Sequence, residues 1–148
     1  MGGIELYQVG ELEDAQTGSS VDTDGRSLVG RHPGSWSADW IVIGSETACG
    51  DPIFISAKAP YPVFTAIHGE GVWKPEPVAP SIERFWECLA TFKRFAAHRG
   101  SPDEAAAYPP DDQETEAFVE EVVRLCDGNA AAVEFWTTQA EIGMEEKE

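Results

Sequence analysis

Residues 40–73 read WIVIGSETACGDPIFISAKAPYPVFTAIHGEGVW, and the division of this stretch into strands and turns decides the fold. Trp40-Ile41-Val42-Ile43-Gly44 is β-branched and aromatic without polar alternation, which predicts a central strand buried on both faces. Gly50-Asp51-Pro52 turns the chain into a second strand over residues 53–56. Pro60 and Pro62 bracket the next turn, and residues 63–67 form a third strand. His68-Gly69-Glu70-Gly71 reads as a hairpin turn, with Val72 and Trp73 returning as a fourth strand. Connections this tight imply an antiparallel meander.

Upstream, residues 4–9 are β-prone and follow two glycines, as an edge strand would. Residues 10–37 mix Gly, Ser, Thr and Asp, and predict a loop with a short hairpin at Leu28 and Val29. Downstream of Pro80 the apolar period lengthens. Ser81 is a natural N-cap, and Ile82, Phe85, Trp86, Leu89 and Phe92 fall on one helical face that Gly100 can close. Residues 101–110 read as a polar linker. Asp111 opens a second helix, with Glu114 completing a box-like pair, an inner stripe of Phe118, Val122 and Leu125, and Gly128 as its stop. Asn129 caps a third helix, in which Val133, Trp136 and Ala140 share a face. The tail over residues 145–148 is expected to fray. Residues 1–148 thus form one α+β domain, a largely antiparallel sheet of about four to six strands with helices packed against it. Residues 1–80 are mainly strands and loops and residues 81–148 mainly helices, the last part an acidic C-terminal extension.

Composition narrows the class. With 42% hydrophobic and 10% aromatic residues, the chain is too apolar to stay disordered despite a net charge of −17. The charge is uneven: residues 61–100 carry +1, whereas residues 101–148 carry −12. Such a field repels nucleic acid and anionic lipid, and would draw in a basic partner. It equally serves solubility. The three cysteines, Cys49, Cys88 and Cys126, follow no metal or disulfide spacing and read as inert thiols in a reducing compartment. The start has no basic region followed by an apolar one, and no apolar run is long enough to span a membrane. A cytoplasmic location is therefore expected.

Catalytic constellations are missing from the pattern. His32, His68 and His98 sit outside metal-ligand spacing, and His68 meets Asp51 only if the hairpins align. Asp22-Thr23-Asp24-Gly25 lacks the ligand register of a calcium loop and reads as a polar turn. Gly34-Ser35-Trp36-Ser37-Ala38 lacks the offsets of a nucleophile elbow. No catalytic residue, cofactor or metal site is expected. The candidate partner-binding residues are Asp51, Glu70 and Trp73, in or beside the strand turns, and Glu116, Glu120 and Glu121 on the second helix.

The segment from Trp40 to Leu89 resembles the SUKH superfamily of Smi/Knr-type proteins. The likeness rests on Trp40-Ile41-Val42-Ile43-Gly44, the Gly50-Asp51 turn before Ile53-Phe54, Pro62-Val63-Phe64, the His68-Gly69 turn, and Val78-Ala79-Pro80-Ser81-Ile82 running into Glu83-Arg84-Phe85 and Leu89. Gly2-Gly3 is similar to the family's turn before its first strand, although the helices that usually precede that turn have no counterpart here. The resemblance implies a non-catalytic binding protein. Many bacterial members are immunity proteins that neutralise a toxin, often a nuclease or deaminase, by covering its active surface. Others are regulatory scaffolds with an endogenous partner. The expected partner is a protein, a basic toxin domain, rather than nucleic acid or membrane.

Overall fold

Five extended segments pair in chain order into one antiparallel sheet: β1 (Ile4–Leu6), β2 (Trp40–Glu46), β3 (Pro52–Ser56), β4 (Val63–Thr65) and β5 (Glu76–Ala79). The structure, a computed structural model, describes residues 3–97 and 112–140. Within them lie four helices: α1 (Leu12–Ala15), α2 (Ile82–Ala97), α3 (Asp112–Leu125) and α4 (Ala130–Gln139). The α+β class, the antiparallel sheet and the helices following the meander are those expected from the sequence.

The middle strand organises both cores. Ile53 and Phe54 are each fully buried, yet successive strand residues point to opposite faces. Ile53 joins a cluster with Val63 and Val78 of the sheet, Phe85 and Leu89 of α2, Phe118, Val122 and Leu125 of α3, and Trp136 of α4. The Trp136 indole N–H donates to the Val78 carbonyl at 3.0 Å, so this large side chain is buried without an orphaned donor. Phe54 points the other way, into a second cluster with Trp36, Val42 and Ala66.

Trp36 explains why residues 16–40 stay on the sheet with so little regular structure. It is 1% exposed, and its ring lies 4.8 Å from that of Phe54, 5.1 Å from Trp40 and 5.2 Å from Trp73. The segment acts as a lid on the face opposite α2, α3 and α4. The loop expected over residues 10–37 holds beyond Ala15, but Val9–Glu11 forms a 3-10 turn leading into α1. The chain before Leu28 makes a minimal antiparallel turn rather than a two-stranded hairpin, and the Leu28 N–H donates to the Ser20 carbonyl at 2.7 Å. The bridges are isolated ones, of Val21 with Ser27, antiparallel, and Val29 with Trp36, parallel. At the first of these, the Asp22 carboxylate accepts from the amides of Asp24 and Arg26, at 2.9 and 2.8 Å, as in a polar turn.

Four expectations need correction. β2 is buried on the face of Val42 but not at Ile41, which points the other way and is 39% exposed. The three-residue β1 pairs only from Glu46 back to Gly44, leaving the start of β2 beyond its end. There the Gln16 side chain replaces a strand: its amide nitrogen donates to the Val42 carbonyl at 2.8 Å, and its oxygen accepts from the Val42 N–H at 2.9 Å. β4 stops at Thr65, and Ile67 lies in the loop beyond it. The fourth meander strand is not Val72–Trp73, because the Trp73 N–H is taken by the Gly34 carbonyl of the lid at 2.7 Å. Instead β5 closes the sheet at an edge, the position where Pro77 can sit without removing a ladder bond. Finally, Trp86 is 51% exposed. It is turned about 100° around α2 from Phe85, away from the stripe of Phe85, Cys88, Leu89, Phe92 and Phe95.

The helix ends follow the expected chemistry where they are described. Ser81 Oγ accepts from the Arg84 N–H at 3.1 Å. Asp127 and Gly128 both adopt positive φ, and the Gly128 N–H returns to the Val123 carbonyl at 2.9 Å, closing α3. Asn129 Oδ1 then caps α4 through the Ala132 N–H at 3.1 Å. Gly100, the linker over residues 101–110, Asp111 and the tail over residues 145–148 lie outside the described residues.

Candidate partner-binding surfaces

In an antiparallel meander the β2–β3 and β4–β5 connections emerge at the same end of the sheet, and side-chain chemistry ties them together here. Glu46, 7% exposed, ends β2 with its carboxylate turned inward to accept from the backbone N–H groups of Ala48 and Cys49. Gly50, at φ +75°, lets the chain reverse above it. The reversal presents Asp51, whose carboxylate accepts from His68 twice: from its backbone N–H at 3.1 Å and at Nδ1 at 2.6 Å. The hairpins therefore do align His68 with Asp51. Below them the Thr65 hydroxyl donates to the Pro52 carbonyl at 2.9 Å.

This end of the sheet gathers half of the residues expected to bind a partner. Asp51 is largely covered by His68, which itself stays half exposed. Glu70 stands exposed between Gly69 and Gly71, both at positive φ. Trp73 is half-buried against Trp36. Two apolar tips that the sequence reading passed over, Ile67 and Val72, are exposed on the same loop. They were hidden by the assignment of both to strands, where they would have been covered.

Beside the loop, a cleft of about 240 Å³ runs under the lid, with His68 and Trp73 on one side and Tyr7, Thr17, Ser19 and Ser45 among its other walls. A carboxylate-held imidazole at a cleft is the arrangement a general base uses. Among the described residues, however, no serine or threonine hydroxyl hydrogen-bonds to His68. The pair joins the two loops as a clasp. Among the described residues no group of three or more His, Cys, Asp or Glu side chains is placed to hold a metal ion.

The remaining candidates lie elsewhere. Glu116, Glu120 and Glu121 are on α3, in the helix layer, on the other side of the sheet from the Trp36 cluster. The structure therefore divides the six residues into two separate surfaces. Phe118, Val122 and Leu125 hold the inner side of α3 in the core, which turns Glu116 and Glu120, four residues apart, to solvent together. Asp127 is exposed just past the helix end. Glu121 is half-buried and differs from the others. The Arg124 guanidinium, hydrogen-bonded to it at 3.2 Å from Nε, holds its carboxyl below the usual carboxylate range. Between α2 and α3, next to Glu121, a groove of about 320 Å³ is floored by Phe95, Ala117 and Phe118 and edged by Arg94.

Among the described residues no helix is long and apolar enough to cross a membrane. No family model, curated protein or solved structure matches the chain.

Proposed function

We propose that this chain is a non-catalytic binding protein of the cytoplasm, an immunity protein that neutralises a basic bacterial toxin by covering its active surface through α3. One observation carries the reading. Glu116 and Glu120 are exposed on a helix whose other side is locked in the core, Asp127 is exposed just past its end, and among the described residues none of the three joins an ion pair. Like charges four residues apart cost a helix about 0.2–0.5 kcal/mol, a cost that packing of the inner stripe offsets. Exposed carboxylates outside any ion pair are suited to steering a cationic surface into register. Residues 101–148, which include these three carboxylates, carry −12 in total, and the resemblance of residues 40–89 to the SUKH superfamily supports the assignment to toxin neutralisation.

Capture with the tagged full chain from its native source, at low and at moderate salt, tests the reading. A single basic protein recovered near one-to-one, and released by salt, is the expected result. With that partner, Glu116→Lys, Glu120→Lys and Glu121→Lys together should slow association at least about tenfold at low salt and flatten its salt dependence. An unchanged rate and salt slope would remove α3 from the interface. Recovery of an endogenous housekeeping partner with no toxic activity would instead assign the chain to the regulatory scaffolds.

A further inference from the structure

Two of the three cysteines, 38 positions apart, meet in the core. Cys88 comes from α2 and Cys126 from the residue that ends α3; both are free thiols, both are buried, and their Sγ atoms stand 3.8 Å apart in hydrogen-bonding contact. Cys126 Sγ is also 3.8 Å from the Val78 carbonyl oxygen of β5. The hydrogen bond to Cys126, followed by burial, holds the Cys88 thiol far above the ordinary range. Either sulfur can donate in this contact, and access selects Cys126 as the one that reacts first. Cys126 borders a cavity of about 280 Å³ walled by Pro77, Pro80, Asp127 and Asn129 at the α3–α4 corner. That corner is a turn at positive φ, the kind of segment that opens locally at less cost than a helix interior.

We propose that Cys88 and Cys126 form an oxidation site, closed to an intramolecular disulfide by a small dialkyl disulfide that enters through the cavity beside Cys126. The Cys126 thiolate attacks one sulfur of the reagent, the reagent's S–S bond breaks, and one small thiol leaves carrying the proton that Cys126 gave up. Cys88 sulfur then attacks Cys126 sulfur in the mixed disulfide, and a second small thiol leaves with the proton of Cys88. Two protein thiols are oxidised by two electrons, and one reagent disulfide is reduced to two thiols. Forming the bond brings the sulfurs from 3.8 Å to about 2.05 Å. The bond ties α2 to the end of α3, so oxidation pins the helix that carries Glu116 and Glu120. The site stands independently of any partner.

The test uses the full chain with Cys49→Ser, which removes the exposed thiol and leaves the core pair. The folded protein is treated with 2-hydroxyethyl disulfide, its remaining thiols are alkylated after unfolding, and intact mass and a peptide map are read. The expected product has lost two hydrogens, shows no alkylation, and yields one linked Cys88–Cys126 peptide. Its melting temperature should rise by about 10 °C, and a reductant should reverse both changes. In a Cys88→Ala background the small thiol should remain on Cys126, since nothing resolves it. Should that second variant fail to fold, the Cys49→Ser protein alone decides. Two core thiols that stay alkylatable, under exposure that fully converts Cys49 in the unsubstituted chain, would overturn the proposal. A linkage found only between separate molecules would overturn it as well.

Discussion

Replacing Trp36 with alanine tests whether the lid over residues 16–40 is part of the folded unit or only lies near it. The side chain is 1% exposed and touches the rings of Trp40, Phe54 and Trp73. Burying about 200 Å² of aromatic surface at about 25 cal/mol per Å² corresponds to about 5 kcal/mol. Measured losses for Trp→Ala in cores run to about 3–5 kcal/mol. The N–H bond from Trp36 to the Trp40 carbonyl is long, at 3.3 Å, and adds little. The expected destabilisation is therefore about 4 kcal/mol, against a total of about 5–15 kcal/mol for a domain of ordinary stability. Trp36→Phe retains a ring against Phe54 and should lose only about 1–2 kcal/mol. Urea unfolding followed by far-ultraviolet circular dichroism gives both values without relying on tryptophan fluorescence. A loss below about 1 kcal/mol for Trp36→Ala would mean that the lid is not docked on the sheet, and the two-sided core would have to be abandoned.

Three further perturbations probe the joints of the fold. Gly44→Ala should destabilise by about 1–3 kcal/mol, because its Cβ would sit 2.4 Å from the Glu5 carbonyl oxygen and push β1 off β2; amide exchange in β1 should rise with it. Gln16→Ala should cost about 1–3 kcal/mol by leaving the Val42 N–H and carbonyl without their partners, and chemical denaturation against the Gln16→Glu variant separates loss of the donor from loss of the whole side chain. Asn129→Ala should lower stability by about 1 kcal/mol through loss of the α4 cap, and Asn129→Asp should recover most of it.

Legibility in the sequence tracked how local each signal is. Ser81, Gly128 and Asn129 work through hydrogen bonds to neighbours three to five positions away, so their roles could be read without knowing the fold. The apolar run of β2 and the strand beginning at Ile53 were equally local. Trp36 was not. Its surroundings are Gly, Ser and Pro, and only the approach of β3 from the other end of the meander supplies the partner that buries it. β5 was misplaced for a related reason: Glu76 and Pro77 look unlike a strand until the sheet order shows that they form an edge. Ile67 and Val72 went the other way, apolar residues that seemed to need covering and instead lie on a loop. Of the candidate surfaces, the acidic side of α3 was legible from helical periodicity. The Asp51–His68 clasp was legible only conditionally, because it depends on the alignment of two hairpins, and the separation of the two surfaces needed the sheet between them.

Co-expression tests the proposed function most directly. Each open reading frame adjacent to this chain's gene is expressed in a sensitive host, alone and together with the full chain, and survival is scored. One is expected to encode a basic, growth-arresting protein; the intact chain should restore growth, and the Glu116→Lys, Glu120→Lys, Glu121→Lys variant should protect poorly while remaining folded. Normal growth with every neighbour, or a toxic neighbour whose effect the intact chain leaves unchanged, would contradict the proposed function.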